Sequence, residues 1–133
     1  MLAAWQMIQA CRPGGLAEAR RLRSQGEAVD VADRNGSQPM HGACFNGHLD
    51  VARWLHSQGA AVDVADSHGW QPIHYASDGG NLLVVKWLLA QGARADARNS
   101  AGDTPLSLAK DNNYEAVVKL LRSRRSHGPA AQP

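Results

Sequence analysis

Two histidines stand in matching frames, PMHGA at residues 39–43 and PIHYA at 72–76, with His41 and His74 at the same place in each. Imidazole titrates near neutral pH and is a common metal ligand, so such a pair could serve as acid and base or hold a cation. The third frame, PLSLA at 105–109, carries Ser107 at the histidine position. A joint active site would not easily survive that exchange, whereas a local hydrogen bond would, so the histidines are expected to hold structure rather than to react.

The other reactive groups follow the same logic. Cys11 and Cys44 are separated by the same interval as the two histidines. Equivalent places on packed helices lie roughly 8–10 Å apart between axes, beyond the ~7 Å between Cα atoms that a disulfide tolerates. Two buried free thiols are expected, and no Cys-x-x-Cys or clustered Cys/His spacing suggests zinc. The glycines of CRPGG (11–15) and the pair Gly79-Gly80 fit neither phosphate-loop frame and read as helix closers. The 12 Asp and Glu residues fall mostly at turns and unit ends, leaving no isolated acid pair suited to acid–base work. No catalytic residue, no metal site and no cofactor is expected, and the chain is not read as an enzyme.

Length and composition bound the rest. A chain of 133 residues with 44% hydrophobic and 20% charged residues is expected to form one folded domain. Its formal charge of +2 singles out neither nucleic acid nor an anionic membrane as partner. No apolar run approaches the roughly 18 residues that cross a bilayer, and the opening MLAAWQMIQACRPGG has no cation ahead of its apolar part, as a secretory signal would. With only two cysteines, the chain is expected to be intracellular, in the cytoplasm before other compartments.

Sliding the sequence along itself until His41 meets His74 aligns Gly36 with Gly69 and Gly102, Pro39 with Pro72 and Pro105, Ala43 with Ala76 and Ala109, and Leu55 with Leu88 and Leu121. Backward, Gly26, Leu22 and Ala10 match Gly59, Leu55 and Ala43, so a partial unit precedes the fuller ones. Within each unit DRNG, DSHG or NSAG is turn chemistry, an Asx residue bonding its own backbone and a glycine taking positive φ. The proline then stands where a first helical residue needs no amide donor, opening a short helix that closes near Gly47, Gly80 or Asn113. Leu82, Val85, Leu88 and Leu89 recur at helical spacing in a second helix stopped by Gly92. Neither helix is long enough to be stable alone, so each unit must lean on its neighbours. The end units depart from the middle as capping units should: Arg20, Arg21 and Arg23 in the first, Arg122 where Leu89 stood in the last.

A period of about 33 residues with a Pro-x-His-x-Ala core resembles the ankyrin repeat, whose signature is Thr-Pro-Leu-His-x-Ala. The resemblance implies an all-α solenoid of stacked helix-turn-helix units joined by β-turn or hairpin loops. The units run over about 1–32, 33–65, 66–98 and 99–125, one domain of residues 1–125 with a flexible tail at 126–133. It implies that His41 and His74 tie one unit's turn to the next. It also implies a non-enzymatic module that binds another protein through a concave face of turn tips and first helices. Carried over by position, the partner-binding residues are Arg34, Asn35, Ser67, His68, Trp70 and Asp103 at the tips, and Phe45, Asn46 and Asp78 on the helices. Trp70 and Phe45 stand out because neither position needs an aromatic for the fold, and such side chains dominate interfaces. Trp54 and Trp87, matched by Leu120, are read as core. Gln38 and Gln71 replace the family's threonine, which only Thr104 keeps. Asp30, Asp63 and Asp96 stand where asparagine is common. The alternative is a structural subunit held permanently in a larger assembly. RNA contact through Arg122, Arg124 and Arg125 is a weak reading beside a solvated basic tail.

Overall fold

The computed structural model describes residues 2–126. Among them eight helices follow one another: α1 (Leu2–Cys11), α2 (Leu16–Ser24), α3 (Pro39–Phe45), α4 (Leu49–Ser57), α5 (Pro72–Asp78), α6 (Leu82–Ala90), α7 (Pro105–Asp111) and α8 (Glu115–Ser126). No strand occurs among the described residues. Residues 127–133 of the expected tail lie outside them.

Each inner helix, α3, α5 and α7, begins with proline at its first turn after an extended residue: Gln38, Gln71 and Thr104 have φ of −112°, −95° and −104°. The entry differs among units. Thr104 and Ser107 cap each other reciprocally, Ser107 N–H donating to Thr104 Oγ1 at 3.1 Å and Thr104 N–H to Ser107 Oγ at 2.9 Å. In the glutamine units the histidine accepts instead, Gln38 N–H reaching His41 Nδ1 and Gln71 N–H reaching His74 Nδ1, both at 2.9 Å. Gln71 Oε1 is buried without a hydrogen-bond partner. Gln71→Thr is therefore expected to raise stability by about 0.5–1 kcal/mol in urea unfolding, the gain of a short cap over a poorly placed amide. An unchanged or lowered midpoint would show that the glutamine serves that entry equally well.

Contacts along two rims help to hold unit to unit. At the tips, Ser67 N–H donates to Asn35 O at 2.8 Å and Ser100 N–H to His68 O at 2.9 Å, so each turn docks on the one before it. At the other end of the inner helices, the residue before each outer helix reaches back over the preceding unit's glycine. Asn81 Nδ2 donates to Cys44 O and Phe45 O at 2.9 and 2.8 Å, and a side chain on Gly80 would meet the Tyr114 ring at 2.7 Å. Glycine is required there for space as well as for its positive φ of 70°.

Between these rims lies the core, built in register. Met7, Met40, Ile73 and Leu106 form one row, Leu22, Leu55, Leu88 and Leu121 another, and Ala10, Ala43, Ala76 and Ala109 a third; all are buried. Burying one such leucine contributes about 1.5–3 kcal/mol, too little in any single unit to offset the ordering of two short helices. Trp54 and Trp87 are half-buried against this core, as expected of their register. Cys11 and Cys44 are fully buried and unbridged. Burial pushes the Cys11 thiol up to about 12, and that of Cys44 strongly up as well, so both remain protonated. Inner helices pack closely on one another, α1 on α3 on α5 on α7, while outer helices touch more sparingly. The row therefore bends with the inner helices on its hollow side.

Candidate interaction face

The histidines occupy the seam between units. His41 Nδ1 accepts from Gln38 within its own unit, and its Nε2 lies 2.9 Å from Val64 O in the stretch leading to the next. His74 repeats this, with Nε2 3.0 Å from Ala97 O and 3.2 Å from Asp103 O. One ring nitrogen accepts an amide proton while the other faces carbonyls, which selects the neutral Nε2–H tautomer. Burial lowers both imidazole pKa values, and the facing carbonyls only partly offset it. Ser107 keeps the local half of the arrangement. Among the described residues, no group of three or more His, Cys, Asp or Glu converges as a metal site would.

The hollow side carries Phe45, Trp70 and Tyr75. Tyr75 sits at the centre, its ring 4.9 Å from Trp70, 6.0 Å from Phe45 and 5.4 Å from His41. Its hydroxyl donates to Asp66 Oδ2, while Asp66 Oδ1 accepts from the His68 and Trp70 amides at 3.0 and 2.9 Å. Burial alone would raise the Asp66 carboxyl; these donors outweigh it and hold the pKa below its ordinary value. Burial, reinforced by the Asp66 carboxylate, pushes the Tyr75 phenol far above its ordinary range, so it stays a donor.

A groove of about 310 Å³ opens beside these rings, lined by Ile8, Arg12, Ser37, Phe45, Asn46 and Tyr75 among others. Of the residues expected at the face, Arg34, Asn35, Phe45, Asn46, Ser67 and His68 are exposed, and Trp70, Asp78 and Asp103 are half-buried. Only Phe45 and Asn46 line the groove. Asn46 Nδ2 donates to Arg12 O at 3.0 Å, Asp78 Oδ1 accepts from Asn112 Nδ2 at 2.9 Å, and Asp103 O accepts from His74. Phe45 is 44% exposed and stands free of the core as expected. Trp70 does not: its ring lies over Tyr75 and within 5.9 Å of His74, so the fold uses it. Sequence reasoning missed Arg12 as a groove residue, although it stands one period before Phe45. It also missed the Tyr75–Asp66 bond, whose partners lie on either side of the helix entry and belong to no familiar spacing.

A row of helical hairpins joined by docked turns, sharing one core along its length, is a helical repeat solenoid. Residues 7–99 and 69–130 match the family described as ankyrin repeats, in three copies, and the chain belongs to that family. Ankyrin repeats are in general protein–protein interaction modules and typically not enzymes. A comparison with curated proteins returned no match. Among the described residues no helix is long and apolar enough to cross a membrane.

Proposed function

We propose that this chain is a protein-binding module, without chemistry of its own, that engages its partner on the concave face of turn tips and inner helices. One domain over about residues 1–125 provides that face, and the buried, protonated thiols suit a reducing compartment such as the cytoplasm. The observation that carries the reading is Phe45: an aromatic side chain left 44% exposed at the mouth of a groove, where the equivalent positions are Arg12, Asp78 and Asp111. An exposed ring contributes little to folding and much to association, where it buries area with few rotors to freeze.

Phe45→Ala is expected to shift urea unfolding by less than about 1 kcal/mol while sharply reducing partner recovery from native cell extract. Trp70→Ala is expected to cost about 1–2 kcal/mol in stability, since its ring packs on Tyr75 and His74. Equal recovery by wild type and Phe45→Ala would sink the reading.

Permanent residence in an assembly is the second reading. It draws support from Leu83, which is 66% exposed on the outer helix α6. A partner that stays bound through Phe45→Ala and is lost on Leu83→Glu would select it.

A further inference from the structure

Four residues share one register on the hollow side: Arg12, Phe45, Asp78 and Asp111, each one period after the last. They sit at the C-terminal ends of α1, α3, α5 and α7, reading cation, aromatic ring, anion, anion along the row. The two charges at its extremes are unspent. Arg12 and Asp111 are exposed, and neither has an ion pair or side-chain hydrogen bond among the described residues. Asp33 and Asp66, at the turns nearest the groove, are engaged by contrast. Asp33 Oδ1 accepts from the Asn35 and Ser37 amides at 2.8 and 3.0 Å, and Asp66 holds its own turn and the Tyr75 hydroxyl. Arg12 is thus the free formal charge in the groove lining. Carboxylates at the last position of α5 and α7 face the negative end of the helix dipole, so their own helices gain nothing from Asp78 and Asp111 there; Asp78 also accepts from Asn112 Nδ2, whereas Asp111 has no such partner among the described residues.

Resting on the concave-face reading above, we propose that the partner docks as an extended segment. An acidic side chain meets Arg12, an apolar one fills the groove against Phe45 and Tyr75, and a basic one meets Asp78 and Asp111. Neighbouring inner helices stand roughly 8–10 Å apart, and an extended chain in polyproline II conformation advances about 3.1 Å per residue with three residues per turn, so every third side chain faces the same way and consecutive anchors fall three residues apart. The pattern is acidic-x-x-apolar-x-x-basic. A groove of about 310 Å³ holds one or two side chains, which fits a single apolar anchor. Opposite charges at the two ends fix the direction of the segment and disfavour its reverse.

The test uses the full chain and blocked nonapeptides on a Gly/Ser background, read by fluorescence anisotropy at low and physiological salt. One peptide has Glu, Leu and Arg in that order, three residues apart; a second has the same composition ordered Leu, Glu, Arg; a third has Arg, Leu, Arg. The first is expected to bind the wild-type chain about three- to tenfold more tightly than either other peptide, with the preference shrinking as salt rises. Arg12→Glu should invert the preference in favour of the third peptide, and Phe45→Ala should weaken all three. Inversion cannot result from misfolding. Equal binding of the three peptides, or a preference that Arg12→Glu leaves in place, overturns the inference. If that binding still depends on Phe45, the concave-face reading stands without it. Absence of binding by all three also overturns the inference, and the extract experiment with Phe45→Ala then judges the face by itself.

Discussion

Gly69→Val is expected to lower unfolding stability by about 3–5 kcal/mol, while Gly102→Val, the same change at the equivalent position one unit later, costs about 1–2 kcal/mol. Both glycines lie in the left-handed region, φ +76° and +83°, so each substitution carries the conformational penalty of a branched residue there. They differ in what lies beyond them. A Cβ on Gly69 would stand 2.9 Å from Ser100 N and 3.2 Å from Asn99 Cα, backbone atoms of the next turn. At Gly102 nothing lies within 4 Å of the added atom. The crowded amide is the one that donates to His68 O at 2.9 Å, so the substitution would prise apart the bond that docks one turn on another. Gly36, whose Cβ would lie 3.2 Å from Ser67 N, should follow Gly69 rather than Gly102. Equilibrium urea unfolding of the three variants measures the series. Equal losses at Gly69 and Gly102 would mean that the turns are strained singly and do not bear on one another.

That series also marks how much of the fold the sequence made legible. Period, turns, proline entries and core rows could all be read, because each is a local or periodic requirement: positive φ needs glycine, a helix start tolerates proline, a shared wall needs an apolar residue once in every period. The histidine seam followed from the resemblance and is present in the structure, as hydrogen bonds to Val64, Ala97 and Asp103. Less legible was most of what is decided between units. Trp70 was expected to stand free, because its position after a turn glycine says nothing of the Tyr75 ring further along, toward which the helix entry folds it. Gly80 reads as a helix closer in the sequence, but only the stack places Tyr114 over it. Arg12 escaped notice because the first unit lacks the turn that would have fixed its register by eye, though the same step that aligns Ala10 with Ala43 aligns Arg12 with Phe45. Proximity across the stack is a property of packing, and no single unit's sequence encodes it.

The seam itself yields the second large effect. His74→Ala is expected to cost about 2–4 kcal/mol, since it strips the partner from three main-chain groups at once in a buried position. Those groups are Gln71 N–H, bonded at 2.9 Å, Ala97 O at 3.0 Å and Asp103 O at 3.2 Å. His74→Ser should recover part of that loss, because Ser107 shows that a hydroxyl can serve the local amide, at 2.9 Å, without reaching the next unit. The same seam gives stability a pH dependence of definite sign. Both folded-state histidines have pKa values lowered by burial from an ordinary 6.5, so as pH falls the unfolded chain takes up its protons first. Their contribution is complete above about pH 6.5 and is lost progressively as pH falls below it toward the lowered folded values. A protonated ring would present Nδ1–H to the Gln38 or Gln71 amide, which needs an acceptor there, so the histidine loses its bond to its own helix entry while Nε2–H still faces the carbonyls. Melting temperatures of the wild-type chain should therefore drop between pH 7 and pH 5. The His41→Ser, His74→Ser double variant should start lower and fall less, because the histidines outside the seam are common to both chains. A double variant that loses as much stability as wild type over that range would show that the seam histidines already titrate as they do in water, and the neutral latch between units would have to be given up.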